Sequence, residues 1–351
     1  MASAVKTDGD TDEVALYFAP PSPNRFLFID AFDLKTGFLA TTLNIHHQPA
    51  LVDKLNDQSF FEPAFRIGYD AGLFTNAAVH WTRDTMDAME SAYHQEIADA
   101  EVYAAIAFRR GSALVNFIRP QWLMNPAVLS KPYAPQGFDV VAWAWAVGDG
   151  VPRIYYLNDG FPFFSASNRT VLPDDYLGNY RMVFSIQHPI MVFPSIYRKL
   201  NKDNMLPAEM AKPVCELYMT FRWMRMLYDV CDSSTSIKTP LVIAHDLIYD
   251  LLLLRPIVAL ICRELGLDES VVLFEELEDE IAAAQPADLR RRASVLRISY
   301  EQQLSADEAE VAACMPDWIS ELGEPAAYML AALVRDAIPD YDYLRDKAVT
   351  A

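Results

Sequence analysis

The feature that most restricts the fold is a set of short apolar segments, each followed by a polar turn. Residues 25–32 (RFLFIDAF), 181–186 (RMVFSI) and 241–250 (LVIAHDLIYD) contain continuous apolar runs, whereas a half-exposed strand would alternate apolar and polar residues. Such runs are typical of strands buried on both faces of a parallel sheet. Two further strands are predicted at residues 139–147 and 153–157.

Segments with helical spacing of apolar residues separate these strands. The alternation predicts an α/β fold of three layers, with a mostly parallel sheet flanked by helices. No repeat or clean boundary is visible, so we expect a flexible tail (1–24), an α/β domain (25–270) and a helical carboxyl-terminal extension packed on the same domain (271–351). Helices are predicted at residues 38–45, 86–110, 207–228, 256–265 (with Gly266 as the carboxyl-terminal cap) and 307–351.

The charge balance limits the class of partner. Lys and Arg number 29 against 48 Asp and Glu, which gives a net charge of −19. Nucleic acid requires a positive surface, and an anionic membrane would repel this chain, so neither is expected as a partner. A polyanionic cofactor would need a local basic pocket built against the overall field.

Cysteine usage and the amino-terminal sequence bear on compartment and cofactors. The four cysteines are widely spaced and form no metal-binding cluster with histidine, which is typical of reduced thiols in the cytosol. No apolar run reaches the length of about 18–20 residues that a membrane span needs. The first residues lack the basic and apolar regions of a secretory signal. We therefore predict a cytoplasmic protein without a metal ion, and the sequence leaves a homodimer open.

Two stretches carry a family resemblance. Residues 27–45 hold a strand, a loop and a helical segment, and residues 168–200 hold the block Asn168…Leu172-Pro173-Asp174 followed by the run FPSIYR at 193–198. The second stretch closely resembles the sulfotransferase-like P-loop family, particularly its fungal branch. Downstream segments at 220–229, 239–248 and 261–268 fit the same pattern, so the resemblance covers about residues 25–268 and implies the sulfotransferase-like P-loop fold.

The family uses the sulfate donor 3′-phosphoadenosine 5′-phosphosulfate (PAPS), and the resemblance implies where its site would lie. Backbone amides and a cation after the first strand hold the 5′-phosphosulfate, and an Arg and a Ser eight residues apart hold the 3′-phosphate. A histidine acts as the general base on the acceptor hydroxyl. The residual donor-site positions in this chain are Lys35, Thr36, Gly37, Gln187 and Ser195.

The chain departs from the family at three separate sites. Asp33 stands where the first loop should carry a cation, and a carboxylate 4 Å from a phosphate charge is repelled by roughly 1–4 kcal/mol. Gln187 replaces the arginine of the Arg-His-Pro turn, which removes a charge-assisted contact. Leu157-Asn158-Asp159 is the best match to the family's Lys-Glu-His. These departures predict a degenerate PAPS site.

The resemblance also places an acceptor pocket above the carboxyl ends of the strands. Asp159, Asp33 and His188 are the candidate catalytic residues, since burial in apolar surroundings raises the pKa of a carboxyl towards neutrality. For Asp33, capping the following helix is the alternative role. The candidate substrate-binding residues are Asn158, Trp81, Tyr156 and Phe161.

These features predict a repurposed sulfotransferase-fold enzyme of fungal secondary metabolism. Its expected substrate is a hydrophobic or aromatic small molecule, because apolar pockets with a few polar groups bind such ligands. The expected chemistry is an acid–base-assisted cyclisation, isomerisation or lyase-type step without a cofactor. A PAPS-dependent sulfotransferase acting on a phenol or alcohol and a non-catalytic small-molecule binding protein are the two alternatives.

Overall fold

A computed structural model gives the structure of the chain. It describes residues 25–30, 43–49, 51–52, 59–74, 81–130, 164–165, 167–203, 205–206, 211–235, 237–245, 251–274 and 300–349.

The centre of the molecule is a five-stranded sheet in which every pair of neighbours is parallel. The strand order is β2-β3-β1-β4-β5, so β1 is central. All six residues of β1 are buried, as the continuous apolar run predicts. The expected α/β fold with a parallel sheet is confirmed. The strands are β1 (Arg25–Asp30), β2 (Leu51–Val52), β3 (Ala113–Ile118), β4 (Arg181–Ile186) and β5 (Leu241–Ala244).

Helices cover both faces of this sheet. The predicted helix at 86–110 is confirmed and begins slightly earlier, while the one at 256–265 begins at Leu251 and carries Pro256 inside it. Gly266 has φ 68°, the left-handed conformation expected of a helix cap. The helices are α1 (Glu62–Asp70), α2 (Arg83–Arg110), α3 (Pro120–Leu123), α4 (Pro126–Leu129), α5 (Asp174–Leu177), α6 (Pro189–Lys202), α7 (Ala211–Tyr218), α8 (Arg222–Ser233), α9 (Leu251–Leu265), α10 (Tyr300–Leu322) and α11 (Glu324–Arg345).

Side-chain contacts assign helices to the two faces. On one face, Leu114 of β3 packs against alanines of α2, and Phe184 of β4 meets the ring of Tyr228 from α8 at 5.9 Å between centroids. On the other face, Arg181 of β4 donates to the side chain and the backbone carbonyl of Glu264 in α9. The three-layer arrangement follows from these contacts.

The single long helix predicted at residues 207–228 is wrong, because α7 and α8 are separate helices. Phe221, in the break between them, is fully buried and packs between the rings of Phe193 and Tyr341. The indole N–H of Trp223 donates to the carbonyl of Leu217 at 3.0 Å, which satisfies an acceptor at the end of α7. Tertiary packing therefore overrides the helical pattern at this point.

Strand β3 is an element that the sequence pattern does not predict. Its sequence ALVNFI carries Asn116 in the middle and follows α2 after only Gly111 and Ser112. The strands predicted at 139–147 and 153–157 lie outside the described residues, as does most of the helix predicted at 38–45, of which Ile45 begins a short 3-10 helix.

The last two helices form a pair that packs on the rest of the domain. Helix α11 contacts α10, α6, α8 and the strands β4 and β5. After α11, the backbone N–H of Val349 donates to the carbonyl of Val242 in β5 at 2.9 Å. This bond reaches the outer edge of the sheet, since β5 is its last strand. Among the described helices, none combines the length and the apolar character needed to cross a membrane.

A buried ion pair ties β1 to α2. Arg25 makes two parallel hydrogen bonds to the carboxylate of Glu101, at 2.6 and 2.9 Å, and the two side chains are 2% and 9% exposed. The guanidinium also lies 5.7 Å from the ring centre of Tyr180. Removing one partner of such a pair leaves an uncompensated charge inside the protein.

We predict that Arg25→Met lowers the free energy of unfolding by about 3–5 kcal/mol, because Glu101 is then buried without its cation. Urea denaturation at neutral pH measures this loss through the transition midpoint. The matched control is Arg335→Met, which breaks the exposed pair with Glu308 at 2.7 Å and is expected to cost less than about 1 kcal/mol. Equal losses in the two variants would contradict the prediction.

Candidate functional site

The topology creates a crevice between the carboxyl ends of β1 and β4. The chain leaves β1 towards β2 on one side of the sheet and leaves β4 towards β5 on the other side. In open parallel sheets, ligands bind where neighbouring strands send their connections in opposite directions. Asp30, the last residue of β1, lies beside Ser185 of β4 in the register, so both residues are at this crevice.

Three polar residues meet at this end of the sheet, one from β1, one from β4 and one from the position directly after β5. Ser185 is aligned with Asp30 and with Ile243, and His245 follows Ile243 by two residues. The Oγ atom of Ser185 and the Nε2 atom of His245 are 2.7 Å apart. Asp30, Ser185 and His245 are all at least nine-tenths buried. A carboxyl, a hydroxyl and an imidazole thus lie together at the carboxyl end of the sheet.

Burial keeps His245 neutral at physiological pH. Desolvation lowers the pKa of its imidazole from 6.5 to about 4. A neutral imidazole offers one nitrogen as a donor and the other as an acceptor, so His245 is able to exchange a hydrogen bond with Ser185 in either direction. The motifs do not single out these residues, since an isolated serine or histidine beside an apolar run is also typical of a buried core.

His188, a predicted catalytic residue, lies in the turn after β4. Its Nδ1 atom accepts a hydrogen bond from the backbone N–H of Ile190 at 3.3 Å, and this contact caps α6. Its ring meets Tyr341 of α11 edge-on, at 5.0 Å between centroids, and the residue is 1% exposed. These contacts give His188 a structural position at the start of α6, and its acid–base role stays a prediction.

The structure describes two of the residual donor-site positions, one just before the start of α6 and one within that helix. Gln187 directly precedes His188 and is half-buried, while Ser195 is exposed on α6. The neighbouring Arg198 is engaged elsewhere, because its guanidinium donates to Glu321 of α10 at 2.8 Å. The turn therefore presents a neutral amide where the family resemblance expects a guanidinium.

Arg119 is a cation at the carboxyl end of β3 that the motifs do not single out. Its guanidinium lies 5.7 Å from the ring centre of Trp122 and 5.5 Å from that of Tyr218. Stacking on two aromatic rings holds a guanidinium in place without a carboxylate. Its Nε atom is buried and has no hydrogen-bond partner within the described part of the chain. The only sequence signal is an arginine that directly follows an apolar run.

Two buried amides flank this arginine. Asn116 of β3 and Gln121 of α3 are 2% and 1% exposed. Their amide nitrogens find no acceptor among the described residues. Buried donors without a partner are uncommon and tend to mark functional positions. The carboxyl end of β3 therefore carries a concentration of hydrogen-bond donors.

Trp81, a predicted substrate-binding residue, lies just before α2. Its indole N–H donates to the carbonyl of Leu73 at 3.2 Å, and the ring is half-buried. Further along α2, Tyr93 donates to the carbonyl of Trp122, which is just past the end of β3. Ten residues of helical rise from Tyr93 back to Arg83, at 1.5 Å each, place the start of α2 roughly 15 Å beyond that level, on the carboxyl side of the sheet, and Trp81 directly precedes it.

The other predicted site residues lie outside the described residues. The described parts of the chain contain no group of three or more His, Cys, Asp or Glu side chains arranged to hold a metal ion. The predicted site residues outside the described part are Asp33, Lys35, Thr36, Gly37, Tyr156, Asn158, Asp159 and Phe161, and the roles of all the predicted site residues stay predictions.

Comparison with known proteins identifies the class. The chain is 24% identical over 347 residues to the sulfotransferase ppzF of Metarhizium rileyi (strain RCEF 4871), covering 95% of this chain and 98% of that protein. It is 30% identical over 308 residues to the sulfotransferase ppzF of Metarhizium majus (strain ARSEF 297), covering 83% and 86% of the two chains. No family model matches, and no solved structure matches significantly.

The chain therefore belongs to the sulfotransferase-like fungal family that these two proteins represent. The family resemblance inferred from the motifs is confirmed. The parallel sheet with helices on both faces agrees with this assignment.

The burial of His245 predicts a pH dependence of stability. Because its folded-state pKa is depressed to about 4, the unfolded chain binds a proton between pH 6.5 and 4 that the folded chain does not. The contribution of neutral His245 to the free energy of unfolding is complete above pH 6.5. As the pH falls towards 4, up to about 3 kcal/mol of this contribution is lost. Urea denaturation at several pH values measures the slope.

The variant that checks this is His245→Gln, which does not titrate. We expect its stability to vary less with pH over this window than that of the unchanged protein, whatever its absolute stability. His94→Gln is the control, because His94 is 40% exposed and near Glu90, and it should keep the original slope. If His245→Gln and His94→Gln follow the same pH profile as the unchanged protein, His245 is not the titrating group.

Proposed function

We propose that the protein is a sulfotransferase-fold enzyme that acts without PAPS on a hydrophobic small molecule of fungal secondary metabolism. The reaction is a cyclisation, isomerisation or lyase-type step with acid–base help from side chains at the crevice between β1 and β4. The observation that carries this proposal is Gln187, a neutral and half-buried amide at the turn after β4 where the family motif places an arginine.

The charge at this crevice supports the proposal. Asp30 ends β1, and Asp33 follows three positions later in the sequence, in the segment that the family resemblance assigns to the 5′-phosphosulfate. An ionised carboxylate at either position has the wrong sign for a donor that is itself strongly anionic, and repulsion grows where burial lowers the effective dielectric. Of the nearby polar groups, Ser185 and His245 are held by each other and are neutral at physiological pH.

Proton transfer fits these groups. One carboxylate removes a proton from a carbon or hydroxyl of the substrate, and a second group returns a proton to another atom, so that an isomerisation or cyclisation conserves every atom. A dehydration differs only in that the returned proton leaves with a hydroxyl as water. Such steps need no oxidant, reductant or group donor, and positioned acids and bases contribute about 10²–10⁴-fold each.

The surroundings support an apolar substrate. Trp122 and Tyr218 flank Arg119, and the ring of Tyr218 also meets Phe65 edge-on at 6.4 Å. Phe65 in turn stacks on Phe74 at 4.7 Å. These rings are buried beside Arg119, so a ligand that reaches the carboxyl end of β3 would meet aromatic side chains, which suits a hydrophobic small molecule.

A PAPS-dependent sulfotransferase is the second candidate, and two observations favour it. Both relatives are named sulfotransferase, and the match to this chain covers 98% and 86% of their lengths. Arg119 is a cation at the carboxyl edge of the sheet without a carboxylate partner in the described part of the chain, and a guanidinium of this kind suits a sulfate or phosphate group. Under this reading Arg119 would compensate for the loss at Gln187.

Calorimetry with adenosine 3′,5′-bisphosphate and with PAPS separates the two candidates. We expect no saturable binding up to millimolar concentration, because Gln187 and Asp33 leave the phosphates without their usual cations. A PAPS-dependent sulfotransferase measured under the same conditions serves as the positive control. Micromolar binding that is lost in Arg119→Gln, together with sulfate transfer to a phenol, would establish the second candidate instead.

Replacing the predicted carboxylates tests the chemistry. With Asp33→Asn or Asp159→Asn in the native host, we expect the pathway product to fall by about 10²-fold or more, because the isosteric amide does not exchange protons. Mass spectrometry should then find a precursor of the same composition as the product, or richer by one water. Asp70→Asn is the control, since Asp70 is 66% exposed on α1.

Each alternative outcome has a distinct meaning. Accumulation of a precursor that lacks a sulfate group would indicate sulfate transfer. Unchanged product in Asp33→Asn, Asp159→Asn and His188→Ala would rule out acid–base catalysis by these residues, and the protein would then be a non-catalytic binding protein.

A further inference from the structure

A second concave site lies at the opposite end of the sheet. It is an open cavity of about 650 Å³ at the amino ends of β1, β3 and β4, which contribute Phe26, Ala113 and Arg181. The end of α9 and the segment before β5 complete its walls. This volume lies within the range of small-molecule sites, and its position separates it from the crevice described above.

The charge of this cavity is unusual for the protein. Arg181, Lys238 and Arg263 line it, against a single carboxylate, Glu264, among the described lining residues. In a chain with a net charge of −19, this is a local reversal of sign. A concave surface of one sign focuses the electrostatic field and raises the local concentration of ions of the opposite sign.

The end of α9 explains only part of this charge. Arg181 donates to the carboxylate and the backbone carbonyl of Glu264 at 3.0 and 2.9 Å, and Arg263 lies in the last turn, where cations complement a helix dipole. Lys238 comes from a separate segment, directly before β5. It is half-buried, and burial followed by the charge of Arg181 lowers its pKa.

We propose that this cavity binds a small molecule that carries a multiply charged anionic group, such as a phosphate monoester. Lys238 and Arg263 contact the anion, and Arg181 adds its remaining donors while it stays paired with Glu264. The apolar side chains of Phe26, Ala113 and Leu265 lie against the body of the ligand.

Isothermal titration of the full chain with pyrophosphate and with citrate tests this site. We expect saturable binding that weakens as the salt concentration rises, since exposed charges are screened. Lys238→Gln and Arg263→Gln should each weaken binding about tenfold or more, which is the loss of one charge-assisted hydrogen bond. Tighter binding of pyrophosphate than of citrate would identify phosphate as the preferred group, and the reverse would identify a polycarboxylate.

Three variants keep the test specific. Lys212→Gln removes an equally charged side chain that is 75% exposed on α7, and it should leave binding unchanged. Thr239→Trp, at an exposed lining residue, should block the cavity without a change of charge. Arg119→Gln reports on the carboxyl edge of the sheet and should also leave binding unchanged.

Two results would overturn the proposal. One is the absence of saturable binding of either anion by the unchanged protein at millimolar concentration. The other is binding that Arg119→Gln abolishes while Lys238→Gln and Thr239→Trp leave it intact, because the anion then occupies the crevice between β1 and β4. Neither result depends on whether PAPS is used, so the proposed function is tested separately.

Discussion

The pairing of β1 between β3 and β4 is the constraint on which the rest of the structure depends. A strand with hydrogen-bonded neighbours on both sides and six buried residues must be covered by other elements on both faces. Helices α2 and α8 cover one face, and α9 lies against the other. The same pairing brings Asp30 beside Ser185, so the core of the fold and the crevice are set by one register.

The elements with a strong period or a continuous apolar run could be predicted from the sequence. The structure agrees with the apolar runs of β1, β4 and β5 and with the helical pattern of α2. These segments are buried mainly because their own side chains are apolar. Strand β3 could not be predicted in this way, since Asn116 interrupts its apolar run and α2 ends only two residues before it. The break between α7 and α8 depends on Phe221 entering a core built by distant helices.

Within the candidate site, the sequence predicts positions only where a motif carries them, and the roles of those residues stay predictions. Gln187, His188 and Ser195 belong to a recognisable turn and helix start, and the structure places them there. The pair of Ser185 and His245 joins residues from two strands that are 60 positions apart in the chain, so no local pattern reveals it. The stacking of Arg119 on Tyr218 similarly joins residues that are far apart in the chain.

The hydrogen bond from Val349 to Val242 has a consequence for association between molecules. Strand β5 is an edge strand, and an exposed edge carries main-chain groups that attract a strand from another chain. The segment after α11 occupies part of this edge. The seating of α11 therefore helps to keep the β5 edge closed to strand addition, and a change that releases the segment after α11 would expose main-chain groups of β5.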